Sequence, residues 1–240
     1  MTDVKQLRSV MIGLLGFAAT QEQVLLAASP DEEAGSPQQW AAVPLVAHNT
    51  EFKQQQVQRL QAIQAGSVPP EFGEVDHASA ELYQRCASLP CAAVAQHSRE
   101  VSGQLADGVL ALGADDLLDP ARHPWLRGRQ LWLQLIVRGF WHPTGHLGEY
   151  YLKHGQPAQA VGLAAQAVAT AGYLDAPAPA RGMASYNLAC ASARAGQQDQ
   201  AAAALREAIG LNPDVKANAS RDPDLASLRD NGQLAAVLAN

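Results

Sequence analysis

Val4, Leu7, Met11, Leu14 and Ala18 recur at heptad-like spacing, and the same helical period continues through Gln21, Gln23 and Leu26. Residues three and four apart share one face of a helix, so the stretch from about 3 to 28 is committed to a helix with one apolar side. Pro30, Gly35 and Pro37 in the loop SPDEEAGSP then break it. No stretch alternates with period two, so sheet architecture is not expected.

Three further segments carry the helical period. A second helix is predicted from about Gln38 to Ala65, in which Leu45, His48 and Phe52 share a face and Val57, Leu60 and Ile63 continue an apolar side. His48 is therefore expected to point inward. The loop GSVPPEFGEVDHAS follows, with Asp76 or Ser79 as cap of a third helix running toward Leu112, which Pro90 must kink or interrupt. After LLDPARHP comes a fourth segment from about Trp125 to His154, closing on Lys153, His154 and Gly155. Cations followed by glycine mark a helix C-terminus. These segments predict an all-α chain whose residues 1–155 form an up-and-down four-helix bundle.

From 156 to 240 the texture changes to alanine-rich helical pairs. PARGMASYNLACASARAG and QQDQAAAALREAIGLNP resemble one tetratricopeptide repeat at Asn187, Leu188, Ala189, Gly196, Ala201, Leu205, Ala208 and Pro213. Small residues there let two antiparallel helices approach closely, and Pro213 ends the second. Because solenoids need about three repeats to stand alone, this segment is expected to pack on the bundle or on a second subunit. The last stretch, in which Asp222 and Pro223 open a short helix, reads as a cap.

Apolar residues make up 48% and charged residues 17%, the balance of an ordinary folded domain. The net charge is -6, the pI is near 5.6 and no Lys/Arg run forms a stripe, so nucleic acid is not an expected partner. Cys86, Cys91 and Cys190 form no CxxC pair, which argues against a disulfide framework or a cysteine zinc knuckle and for a reducing cytoplasm. Val10 to Ala19, behind Lys5 and Arg8, has the look of a signal-peptide core, but the helical pattern runs on past it, so cleavage is not expected. No apolar run approaches the ~20 residues of a bilayer span, and the chain is expected to be soluble and cytoplasmic.

The histidines carry the chemical signal. His142 and His146, in FWHPTGHLGEYY, lie four residues apart, which on a helix puts them on one face with ~6 Å of axial rise between them. Neutral imidazoles suit a divalent ion, and His48 from a facing helix is the candidate third ligand. Three protein ligands with a fourth position left for water or substrate is a catalytic arrangement. The Trp40…His48 helix with AHNTEF, together with HxxxH in the last bundle helix, resembles the DinB-like superfamily over about residues 1–155. That resemblance implies a four-helix bundle holding a divalent metal, zinc or nickel being the expected ions, at His48, His142 and His146. It also implies a thiol-dependent transferase or isomerase acting on a small molecule, with a low-molecular-weight thiol as cosubstrate.

Several alternatives stay open at this point. Pro143 either kinks the helix or starts a new one with His142 as an extended cap, and in the second case the shared face of the pair is lost. Without a metal, His48 is a hydrogen-bonded core residue and the chain is a non-catalytic module whose tail binds a protein partner or a second copy. Glu149 and Tyr150 are near enough in sequence to act as a general base or to brace a ligand, or else to be a solvated and a packing residue. Trp125, Trp132, Phe140 and Trp141 either line an apolar pocket or fill the core, and His77, His97, His123 and His154 read as structural. No catalytic residue is assigned, and GxGxxG, P-loop, GxSxG and HExxH motifs are absent.

Overall fold

A computed structural model describes residues 3–29, 35–72 and 80–239, and among these the chain is all-α apart from one two-stranded hairpin. Contacts divide it into two compact units, Met1–Pro143 and Thr144–Asn240. The division falls within a helix, upstream of the position near 155 at which the sequence texture changes.

Helix α1 spans Val4–Ala28, and the Asp3 carboxylate caps it by accepting the Lys5 amide at 2.9 Å. Its face of Leu7, Val10, Met11, Leu14, Ala18 and Leu25 is buried, as a core helix requires. By length and composition α1 is also apolar enough to cross a membrane, with a mean hydropathy of 1.5, which corrects the expectation that no stretch approaches a span.

The second helix begins later than the pattern predicts. A hairpin of β1 (Gly35–Ser36) and β2 (Gln39–Trp40) precedes α2 (Ala42–Gln64). Gly35 makes it possible: its φ is +80°, and a Cβ there would lie 2.4 Å from the Gln39 carbonyl oxygen. The turn fixes Trp40, whose indole N–H donates to the Pro37 carbonyl at 3.0 Å.

Helices α3 (Ala80–Ala87) and α4 (Cys91–Ala111) are separated at Pro90, which caps α4 in an extended conformation and so interrupts the third segment. Asp76, Ser79 and His77 lie outside the described residues. Helix α4 packs on α1 and α2. Glu22 of α1 and Lys53 of α2 meet inside this unit at 2.5 Å, with exposures of 0% and 2%. Ser98 donates to Glu22 at 3.0 Å, and the Lys53 ammonium also donates to Ser102 at 3.1 Å.

After the short α5 (Ala114–Leu118), Trp125 sits in a 3-10 turn, Pro124–Leu126. Left-handed Arg127 (φ +53°) and Gly128 (φ +82°) then reverse the chain, so the fourth segment becomes helical only at Leu131 and not at Trp125. From there α6 (Leu131–Ile136), a π turn (Val137–Trp141) and α7 (His142–Lys153) run on as one helix. In an α-helix the Pro143 ring would press on the carbonyl of Gly139. The wider π turn relieves this, and the His142 amide reaches back five residues to the Val137 carbonyl.

The second unit is built on α8 (Pro157–Tyr173), α9 (Ala178–Arg194) and α10 (Gln198–Leu211), followed by α11 (Val215–Ala219), α12 (Ala226–Asp230) and α13 (Gln233–Leu238). Helix α9 packs on both α8 and α10. Ala189, Ala201, Leu205 and Ala208 have no exposure, so small side chains set the distance between α9 and α10. Helix α10 stops at Leu211, ahead of Pro213. At Gly182 of α9 a Cβ would meet the Asn212 Cβ at 2.6 Å and the Ala208 carbonyl at 3.0 Å. Gly182→Ala is therefore expected to destabilise the chain by about 1–3 kcal/mol. Helix propensity alone would give a gain of about 1 kcal/mol, so the sign read by urea unfolding separates the two effects.

Candidate metal centre

Helix α2 places His48 and Phe52 one turn apart and buries both, at 1% and 4% exposure. Trp40, delivered by the hairpin, meets the His48 ring edge-on at 5.3 Å, and Phe52 meets it from the other end of the turn at 4.9 Å. His142 lies 5.5 Å from His48 and 4.8 Å from Phe52, ring centre to ring centre.

His142 has helical backbone angles, φ −62° and ψ −51°, which overturns the alternative of an extended cap. The π turn thus absorbs the proline upstream of the histidines, and α7 carries His142 and His146 four residues apart on one face. One ring nitrogen from each of His48, His142 and His146 lies within 4.8 Å of the others. Ligands bound at 2.0–2.1 Å in tetrahedral geometry stand ~3.4 Å apart, so closing on an ion asks for a contraction of up to ~1.4 Å. Three imidazoles, that of His48 buried and those of His142 and His146 half-buried, fit a divalent ion of borderline softness.

Glu149 braces this group from the next turn. Its Oε2 lies 3.6 Å from His146 Nδ1, and its Oε1 accepts from Lys153 at 2.8 Å. The contact with His146, and then the bond and charge of Lys153, outweigh burial and hold the Glu149 carboxyl at about 2. A carboxylate on Nδ1 fixes the tautomer that leaves Nε2 to coordinate. Tyr150 stacks on His154 at 4.0 Å, a packing role.

Among the described residues the remaining histidines have ordinary partners or exposed positions. His123 bonds the Asp116 carbonyl through Nε2 at 2.9 Å, His154 bonds the Tyr150 carbonyl through Nδ1 at 2.8 Å, and His97 is exposed. Trp132 and Phe140 are buried in the core, whereas Trp125 lines a cavity of about 420 Å³ with Ile63 and Pro69.

A second group with ligand-type atoms, Cys190, Asp222 and Asp224, is a hydrogen-bonded network. Asp222 accepts the Tyr186 hydroxyl at 2.7 Å and the Cys190 thiol at 3.8 Å, and Arg194 pairs with Asp224 at 3.2 Å. Burial pushes the Cys190 thiol up, so it donates as a neutral group.

One residue beside the first site escapes a search for ligand types: Arg138 holds its guanidinium carbon 5.2 Å over the Phe52 ring. Comparison with protein-family models, with curated proteins and with solved structures finds no match to this chain.

Proposed function

We propose that the chain is a metal-dependent enzyme that binds one divalent ion, zinc or nickel, through His48, His142 and His146. The observation that carries this reading is the convergence of three ring nitrogens from two helices within 4.8 Å. The reaction class is the one implied by the resemblance to DinB-like bundles: transfer to, or isomerisation of, a small molecule with a low-molecular-weight thiol as cosubstrate. When bound, the ion lowers the pKa of a coordinated thiol or water and supplies a nucleophile near neutral pH. Trp40 and Phe52 shield the ligands from solvent, and Glu149 holds His146 in its coordinating tautomer. The four-helix bundle and the tetratricopeptide-like tail belong to the same proposal, as does a soluble cytoplasmic location, which the free thiols of Cys86, Cys91 and Cys190 support.

Elemental analysis of protein purified without chelators or metal-affinity resin tests the reading. About one equivalent of zinc or nickel is expected, and a chain that stays metal-free after divalent-ion titration overturns it. Glu149→Gln is expected to weaken metal affinity by about 10–100-fold without abolishing it. Competition with a chelating dye measures this, and an unchanged affinity removes Glu149 from the site.

A further inference from the structure

Helix α7, which carries His142 and His146, is followed by α8 in the same register in which α9 is followed by α10. Leu147, Gly155, Ala160 and Ala167 of the first pair stand where Leu188, Gly196, Ala201 and Ala208 stand in the second. Both glycines are left-handed, at φ +70° and +78°. Each closes its helix with the same two backbone bonds: the Gly155 and Gln156 amides donate to Leu152 and Tyr151, and the Gly196 and Gln197 amides donate to Ala193 and Ser192. The histidine-bearing helix thus has the place of the first helix in an earlier copy of the pair, and His146 occupies the position of Asn187.

The two copies meet inside the unit Thr144–Asn240. Tyr151 and Leu152 of α7 pack with Leu188 and Ala191 of α9 around Ala160, Val161 and Ala164. The Asn187 amide donates to the Thr144 hydroxyl at 3.2 Å, and it lies 3.5 Å from where a Cβ on Gly145 would stand. Thr144 is 5% exposed. Thr144 and Gly145 fall between the two histidines, so Asn187 grips α7 at the turn that delivers both rings. The His48 ring is fixed by burial between Trp40 and Phe52. His146 is 22% exposed, so the direction of its ring follows the setting of its helix. A ligand must stand within about 0.5 Å and 10–20° of its working geometry, and a helix turned about its own axis carries every side chain with it.

We propose that Asn187 is a positioning residue of the metal centre: its bond to Thr144 fixes the angle at which α7 presents His146. The assignment rests on the metal-dependent reading.

Zinc affinity of the full-length chain tests this, measured by competition with a chelating dye on protein shown to be folded by circular dichroism. Asn187→Ala and Thr144→Val are each expected to weaken zinc binding by about tenfold, the lower end of what a residue behind a ligand contributes. The double variant is expected to be no weaker than either single one, because both remove the same bond. Asn187→Asp, which still accepts from the Thr144 hydroxyl, and Thr144→Ser, which keeps that hydroxyl, are expected to bind close to the wild type. A bond that served the fold alone would lower the melting temperature of the metal-free chain and leave the zinc affinity of the folded chain unchanged. Wild-type affinity in both Asn187→Ala and Thr144→Val, or losses that add in the double variant, overturns the proposal and leaves the metal reading standing. A wild-type chain that takes up no divalent ion overturns the metal reading and this assignment with it. Where Asn187→Ala does not fold, the contrast between Thr144→Val and Thr144→Ser decides by itself.

Discussion

Lys53→Met is expected to lower the stability of the chain by about 3–5 kcal/mol, a large share of what holds a typical domain together. The lysine ammonium and the Glu22 carboxylate share the interior of the first unit at 2.5 Å, with Ser98 and Ser102 as additional partners. Removing the cation leaves the Glu22 carboxyl at 0% exposure without its ion-pair partner, with one oxygen, Oε1, already lacking a hydrogen-bond partner. The cost is that of a stranded buried charge and not of a lost contact. The double variant Glu22→Leu, Lys53→Met removes both charges and is expected to recover most of the loss. Urea unfolding of the two single variants and the double variant measures the coupling, and a single-variant cost below about 1 kcal/mol, as for an exposed pair, contradicts the assignment.

His48→Ala is expected to reduce bound metal from about one equivalent to a trace, with affinity falling by more than the 10–100-fold assigned to a bracing residue such as Glu149. In the proposed site His48 is the one ligand from α2, and without it His142 and His146 would remain as two adjacent groups on one helix face. The variant also loses a buried ring packed between Trp40 and Phe52, so a drop in melting temperature does not by itself report on the metal. The discriminating readout is the stabilisation by added zinc. A free concentration of 100 times Kd raises the wild type by about 2.7 kcal/mol, and His48→Ala is expected to show almost none of that gain. Equal zinc stabilisation in both proteins removes His48 from the site.

The helical content and the histidine pair were legible in the sequence because both depend on spacing along one element. Val4 to Ala18 repeat with the helical period, and His142 and His146 are four residues apart, although Pro143 between them left their shared face undecided until the backbone at His142 was seen to be helical. The inward direction of His48 was legible from Leu45 and Phe52 beside it. The hairpin at Gly35 to Trp40 was not, since its strands are two residues each and depend on one positive φ. The π turn was hidden for a different reason: proline signals that a helix must deviate without saying which deviation the packing favours. Lys53 reads as surface on a polar stretch of α2, and only contact with Glu22, thirty-one residues earlier, shows it as core.

The π turn also acts as a phase setter. Each residue in an α-helix advances the side chains by about 100°, so one extra residue in a turn rotates everything downstream relative to everything upstream. In the continuous run from Leu131 to Lys153, Trp132 and Leu135 keep their angular setting in the core while the histidines beyond the turn are dialled to a different one. A helix of unbroken α period has one azimuth along its length, and satisfying the core would then dictate where the histidines point. The inserted residue offsets the two by about 100°, so the part of the helix that holds the fold and the part that carries the histidines take different directions from one continuous element.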